Sequence, residues 1–200
     1  MRALTRKLLR DVMRQWTQLA AAALVMACGI ATLTMSLSAL TSIQTARATY
    51  YRAYRFPDVF VHLKRAPNSL VDRFKEIPGV ARVQARVVVD VNLDVEGLAE
   101  PAVGRLISIP NETPFGVSEL HLRKGRLPEP GRGNEVAASE AFVTAHHLEL
   151  NSTVDAVING RLEQLRIVGV ALSPEYIYQV RAGELLPDDR RFGVFWMNRD

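Results

Sequence analysis

The spacing of apolar positions divides the chain into two regimes. Between Gln15 and Ala46 there is no charged residue, and the centre of that stretch, LAAAALVMACGIATLTMSLSAL from Leu19 to Leu40, is almost wholly apolar. Its 22 residues, at ~1.5 Å per residue, reach about 33 Å, against about 30 Å for a bilayer core. A cleaved leader carries an apolar run of only about 7–15 residues. A buried soluble helix rarely runs this far without a charge. The pattern predicts a membrane-spanning helix over residues 15–43.

Beyond Leu40 the text turns polar, TSIQTARATYYRAYRF, with neither Gly nor Pro before Pro57. Leu40, Ile43, Tyr50 and Tyr54 fall near heptad spacing, interrupted by Arg47. This predicts that the helix continues over residues 44–56 as a stalk. Phe56 precedes a proline, which disfavours helix there. The competing reading is a plain helix end with Tyr50, Tyr51 and Tyr54 as an interfacial aromatic belt.

Residues 57–200 follow a different rhythm. Asp58–Leu63 alternates and predicts a strand. Ser69 with Asp72 three residues on has the form of a capping box, and Leu70, Phe74 and Ile77 share a helical face that Pro78-Gly79 ends. Val83, Ala85, Val87, Val89, Val91, Leu93 and Val95 repeat every second residue, which predicts a long strand with one buried face. Gly97–Pro101 turns the chain, and Ala102–Ile109 can return antiparallel to it. Residues 111–133 are loop-like, and residues 134–147 suggest a short helix containing Ala141, Phe142 and Ala145. Val154–Ile158 and Arg161–Val170 flank Asn159-Gly160, a favoured two-residue hairpin turn. Leu162, Leu165, Ile167, Val168 and Val170 supply its apolar surface. The expected class is α+β: one membrane helix with a stalk, then a mixed, largely antiparallel sheet with short helices.

Charge adds orientation. Arg2, Arg6, Lys7, Arg10 and Arg14 face only Asp11 in residues 1–14, so the whole formal net charge of +4 sits in that arm and the rest balances. A nucleic-acid footprint would spread over a folded face, so none is read here. Cations before the helix keep the N-terminus cytoplasmic and place residues 57–200 outside, and Trp16 suits the inner headgroup belt. The 48% hydrophobic content excludes disorder, and the single Cys28 excludes a disulfide scaffold. Val25-Met26-Ala27-Cys28 vaguely resembles a lipoprotein cleavage site. The favoured reading is a small membrane-buried thiol. Ala23, Ala27 and Ala31 form a small-residue stripe that suits an approaching helix as well as it suits simple filler.

Candidate chemistry is sparse. The chain has no G-x-x-x-x-G-K-[ST] run, and Gly131-Arg-Gly133 is too short to mean more than a turn. His146-His147 point about 100° apart on a helix and have no Cys or acidic cluster beside them. Ser, His and Asp occur without a nucleophile elbow. Asp188-Asp189-Arg190-Arg191 reads as a solvated loop with local pairing. Asn111-Glu-Thr113 and Asn151-Ser-Thr153 match a glycosylation pattern that is common by chance. No catalytic, cofactor-binding or metal-binding residue is assigned.

One resemblance spans almost the whole chain. The basic arm, the first helix, the stalk and DVFVHLKRAPNSLVDRFKEIPGVARVQARVVVDVNLD resemble the start of an FtsX-like ABC transporter permease with a MacB-type periplasmic core domain. GRLPEPGRGNEVAASEAFVTAHHLEL is similar to that family's "G-R-x-P … E-V-x-x-S-x-x-F-A" segment, at Gly125, Arg126, Pro128, Glu135, Val136, Ser139 and Phe142. LRIVGVALSPEYIY, residues 165–178, resembles the strand that follows. Asn151-Ser152 departs from a frequent Pro-Gly. Such permeases return to the membrane after the periplasmic domain, so residues 57–200 are expected to be an incomplete core domain and the chain an N-terminal part.

The resemblance implies a bacterial inner-membrane permease subunit without enzyme activity. It couples a separate cytoplasmic ABC ATPase to a periplasmic domain for export or mechanotransmission. Its implied partners are that ATPase, membrane lipid, and further transmembrane helices or a second permease copy; no nucleic acid and no cofactor are implied. The alternative class is a bitopic sensor or anchored binding protein with an external ligand domain. An anchored enzyme would need a catalytic cluster that the sequence lacks.

Overall fold

The computed structural model describes residues 5, 7, 10, 12–95, 97–98, 100–111, 116–181 and 183–198. The chain divides into two compact units, Met1–Thr49 and Tyr50–Asp200.

The first unit is dominated by α1 (Trp16–Ala53), whose last turn belongs to the second unit. It is one unbroken helix of 38 residues, long and apolar enough to cross a membrane. Leu19, Leu24, Val25, Ile30, Leu33, Leu37 and Leu40 all project outward and are exposed. Four of the hydroxyls inside it are satisfied by the helix itself. The hydroxyls of Thr32, Thr34, Ser36 and Thr41 donate to the carbonyls of Cys28, Ile30, Thr32 and Leu37 at 2.8–3.0 Å. Such back-bonding lets Ser and Thr sit in an apolar surrounding without an orphaned donor.

The second unit is built on seven strands: β1 (Val88–Asp94), β2 (Ala102–Ile109), β3 (His121–Gly125), β4 (Glu135–Ser139), β5 (Thr153–Ile158), β6 (Arg161–Leu172) and β7 (Phe192–Asn198). Two short helices join them, α2 (Ser69–Lys75) and α3 (Glu140–Ala145). The pairing order is β3-β6-β4-β7-β2-β1-β5, and β5 also pairs with β6, so six strands close a ring and β3 is added outside it. β6 permits closure because it is 12 residues long. Its first half pairs with β5 from Ile158↔Arg161 to Thr153↔Arg166, and its second half lies between β3 and β4. The β2–β7 and β4–β6 pairs are parallel and the other five antiparallel. A ring leaves few bare edges, and β3, the added strand, carries Arg123 and Lys124 as an edge strand should.

The core has two apolar clusters. One gathers Leu93, Leu106, Val136, Phe142, Ile167 and Phe195, with Phe142 edge-on to Phe195 at 5.2 Å. The other holds Val103, Ile107, Phe192, Val194 and Trp196. The expected α+β class is what the structure shows. β2 returns antiparallel to β1 with Leu93 opposite Ala102. The β5–β6 hairpin turns at Asn159 (φ 50°) and Gly160 (φ 76°), the double left-handed geometry that Asn-Gly favours.

Several local expectations are corrected. Asp58–Leu63 forms no strand, because no neighbouring strand receives its backbone, and Val59 and Val61 are exposed. The long strand expected over residues 83–95 is regular only from Val88 to Asp94. Its burial alternates only at Val91, Leu93 and Val95. Residues 111–133 contain β3, hidden by its charge. Residues 134–147 hold β4 before α3, since five consecutive buried residues, EVAAS, carry no period of two. β7 was not anticipated, although it runs between β4 and β2. α2 is present, with Asn68 rather than Ser69 at the N-cap position.

Candidate functional site at the exit of the long helix

The end of α1 is locally determined by backbone geometry. Arg55 takes a left-handed conformation at φ 51°. The Phe56 N–H then reaches the Tyr51 carbonyl at 2.8 Å and the Arg55 N–H reaches that of Arg52 at 3.3 Å. These paired bonds form a Schellman stop, and the Tyr51 and Phe56 rings stack at 4.4 Å as its apolar contact. Pro57 follows, so the helix cannot resume. Glycine usually fills the left-handed position. Arg55 does so here while its guanidinium lies 2.7 Å from Glu119.

The exposed carbonyls of the stop do not face only water. Glu119 N–H donates to the Tyr54 carbonyl and Ser118 N–H to the Arg55 carbonyl, each at 2.9 Å. Tyr54 hydroxyl also shares a hydrogen bond with His121 Nδ1, at the start of β3. Tyr54–Arg55 and Ser118–His121 therefore form a clasp of two backbone bonds, one ion pair and one side-chain bond, all within the second unit.

Aromatic and charged groups extend from the clasp toward the core. Phe56 packs edge-on to Phe60 at 5.6 Å, and the Arg86 guanidinium lies 5.9 Å from the Phe60 ring centre. Arg86 holds the nearly buried Glu175 carboxylate with both terminal nitrogens, one bond at 2.7 Å. Gln84 accepts the Val117 N–H at 3.0 Å, tying residues 82–86 to the segment before the clasp. Beside Glu175, burial pushes the Tyr176 hydroxyl above its ordinary range while nearby Arg86 and Arg105 oppose that shift. Arg105 pairs bidentately with Asp90 at 2.7 and 2.8 Å, and that hydrogen bonding lowers the Asp90 pKa.

The family-like segment resolves into structural posts. Gly125 has φ 73°, and a Cβ there would press into the Val168 carbonyl oxygen and lie 2.8 Å from Leu150. Glu135, wholly buried, receives Arg126 at 2.6 and 2.8 Å, Arg132 at 3.1 Å and Arg166 at 2.6 Å. Hydrogen bonding from Arg126 is the main cause that holds its carboxyl down at about 2. Ser139 Oγ accepts the Val194 N–H at 3.3 Å, and Phe142 fills the core. These residues fix the loop before β4 and the crossing of β3 with β6.

The remaining sequence candidates are dispersed. His146 Nε2 meets the Arg190 carbonyl at 2.8 Å and its ring packs on Phe142, while His147 sits in a turn at φ 52°. Among the described residues no group of three His, Cys, Asp or Glu could hold a metal ion. Asp188 Oδ1 accepts the N–H groups of Arg190 and Arg191, as a locally paired loop should. Glu112 and Thr113 of the first glycosylation pattern lie outside the described residues. Sequence reasoning missed the clasp. Its one trace was the Tyr51, Phe56 and Pro57 spacing, which lacked the glycine that usually marks a Schellman stop.

No family model matches the chain, and no curated protein matches it in sequence. Among solved structures it is similar to the crystal structure of the periplasmic region of MacB from Actinobacillus actinomycetemcomitans, with TM-score 0.41 and 18% identity. The match covers 68% of this chain and 56% of that one.

Proposed function

We propose that the chain is the N-terminal part of a membrane-anchored, FtsX-like ABC transporter permease whose residues 57–200 belong to a MacB-type periplasmic core domain. The observation that carries this reading is the unbroken helix Trp16–Ala53, free of charge from Gln15 to Ala46. It ends in a backbone stop that residues 118–121 clasp. A separate cytoplasmic ATPase supplies the hydrolysis. This chain contributes a span, a stalk and a domain that moves with them. The five-cation arm keeps the N-terminus in the cytoplasm, and further helices or a second permease copy pack beside α1 in the bilayer. The chain is not itself an enzyme under this reading.

The test is a search for an ABC ATPase gene beside this one, followed by co-expression of the two. The two proteins should co-purify in detergent, and ATP hydrolysis should change in the complex. A Gly-Pro insertion after Ala46 should leave co-purification intact and abolish that change, because it breaks the helix between span and domain. Failure to co-purify would reject the permease reading; an unaltered response in the insertion variant would reject coupling through the stalk.

A further inference from the structure

We propose that the Tyr54–Arg55/Ser118–Glu119 clasp is a poised release, a contact that opens by itself while the β ring stays folded. The closed clasp joins two non-glycine residues in left-handed backbone, Arg55 at φ 51° and Ser118 at φ 56°. A single bond from Ser118 N–H to the Arg55 carbonyl, 2.9 Å, connects them directly. Left-handed backbone is costly for residues with a Cβ and persists where the surroundings hold it. Ser118 adds a second cost: it is buried, and its hydroxyl makes no hydrogen bond among the described residues. Opening relieves both costs at Ser118, by returning its backbone to an ordinary conformation and hydrating the hydroxyl, while Arg55 stays left-handed in its own helix stop.

The closed state is favoured by groups of comparable strength. Glu119 N–H bonds the Tyr54 carbonyl at 2.9 Å, Arg55 and Glu119 form an ion pair at 2.7 Å, and Tyr54 bonds His121. The ion pair is partly exposed and therefore weak. Costs and gains of similar size make an equilibrium that small forces shift. The opening is also local. The β3–β6 register starts at His121↔Leu172, so Ser118 and Glu119 can part from Tyr54 and Arg55 without breaking a sheet bond. This inference rests on the clasp geometry and not on the permease reading.

Amide hydrogen exchange on the full chain in detergent micelles tests it, with rates corrected for each residue's intrinsic exchange. The Ser118 and Glu119 amides should exchange through an opening insensitive to low urea, whereas β7 amides should exchange only through urea-sensitive unfolding. Ser118→Gly removes both the left-handed cost and the orphaned hydroxyl. It should slow exchange at 118 and 119 by roughly 5–30-fold and leave β7 unchanged. Glu119→Gln, which removes the ion pair, should speed exchange at the same two positions. Unchanged or faster exchange in Ser118→Gly would overturn the proposal. So would a urea dependence at 118 and 119 equal to that of β7, or no protection at those amides in the wild-type chain.

Discussion

Residues 58–63 and residues 88–95 carry the same apolar alternation and meet opposite fates. Val59, at 76% exposure, and Val61, at 62%, belong to a segment that reads as a strand and forms none. Val91 and Leu93, on an equally regular pattern, are buried because β2 bonds one edge of β1 and β5 the other. An alternating sequence specifies which side chains share a face. It does not supply the neighbouring strand that satisfies the backbone and covers that face. The ring closes where β6 is long enough to serve β5 with one half and β3 and β4 with the other. Residues 57–87 are held mainly by side chains: Gln84 to Val117, Arg86 to Glu175, and Phe60 to Phe56. Among the described residues their one backbone–backbone bond to a strand is at Val87, whose carbonyl accepts the Ser108 N–H.

That contrast sets the order of expected effects. The largest belongs to the crossing of β3 and β6, where Gly125 faces Gly169. A Cβ on Gly169 would press into the Arg126 carbonyl oxygen, a backbone atom that cannot swing aside. Gly169→Ala should cost about 3–5 kcal/mol in urea unfolding, and a loss below 1 kcal/mol would show that the ring yields more easily than its geometry implies. Phe142→Ala should cost a similar ~3–5 kcal/mol, since that ring is fully buried against Phe195.

Glu135→Ala comes next, at about 2–4 kcal/mol. It leaves Arg126, Arg132 and Arg166 converging without their carboxylate, but those side chains are 37–52% exposed and can turn to water. The same residue gives the unit an acid dependence. Its folded pKa of about 2 lies below the ordinary 4.5. Its contribution is therefore fully present above pH 4.5 and lost as pH falls toward 2. Thermal melts of Glu135→Gln should show a flatter decline over that window than wild type, and parallel curves would remove the carboxylate from the account. The smallest change should come from Val61→Ser, within about 0.5 kcal/mol. A loss above 2 kcal/mol there would mean that residues 57–63 are covered after all, and the contrast between the regions would fail.

How much of this was legible depended on how local each signal was. The uncharged run, the Asn159-Gly160 turn and the Ala102–Ile109 return were readable because neighbouring residues carry the instruction. β4 was not, because Glu135 and two alanines look helical. Only the ring, with β6 on one side and β7 on the other, makes EVAAS a strand. β3 hid behind His121, Arg123 and Lys124, the charges that suit it to an edge. The role of Glu135 was invisible for a related reason, since Arg166 lies 31 positions away in sequence and meets it only across the β4–β6 pair. The clasp needed two left-handed residues of types that seldom adopt that geometry, so no local rule marked it.

The account depends most on α1 crossing a membrane and carrying the β unit to the outer side. Alkaline phosphatase fused after Arg65, beyond the helix stop and before α2, tests this directly in bacterial cells. The enzyme folds actively only outside the cytoplasm, so the fusion should be active and should stay with the membrane fraction after an alkaline wash. An inactive fusion, or one released by the wash, would contradict the account.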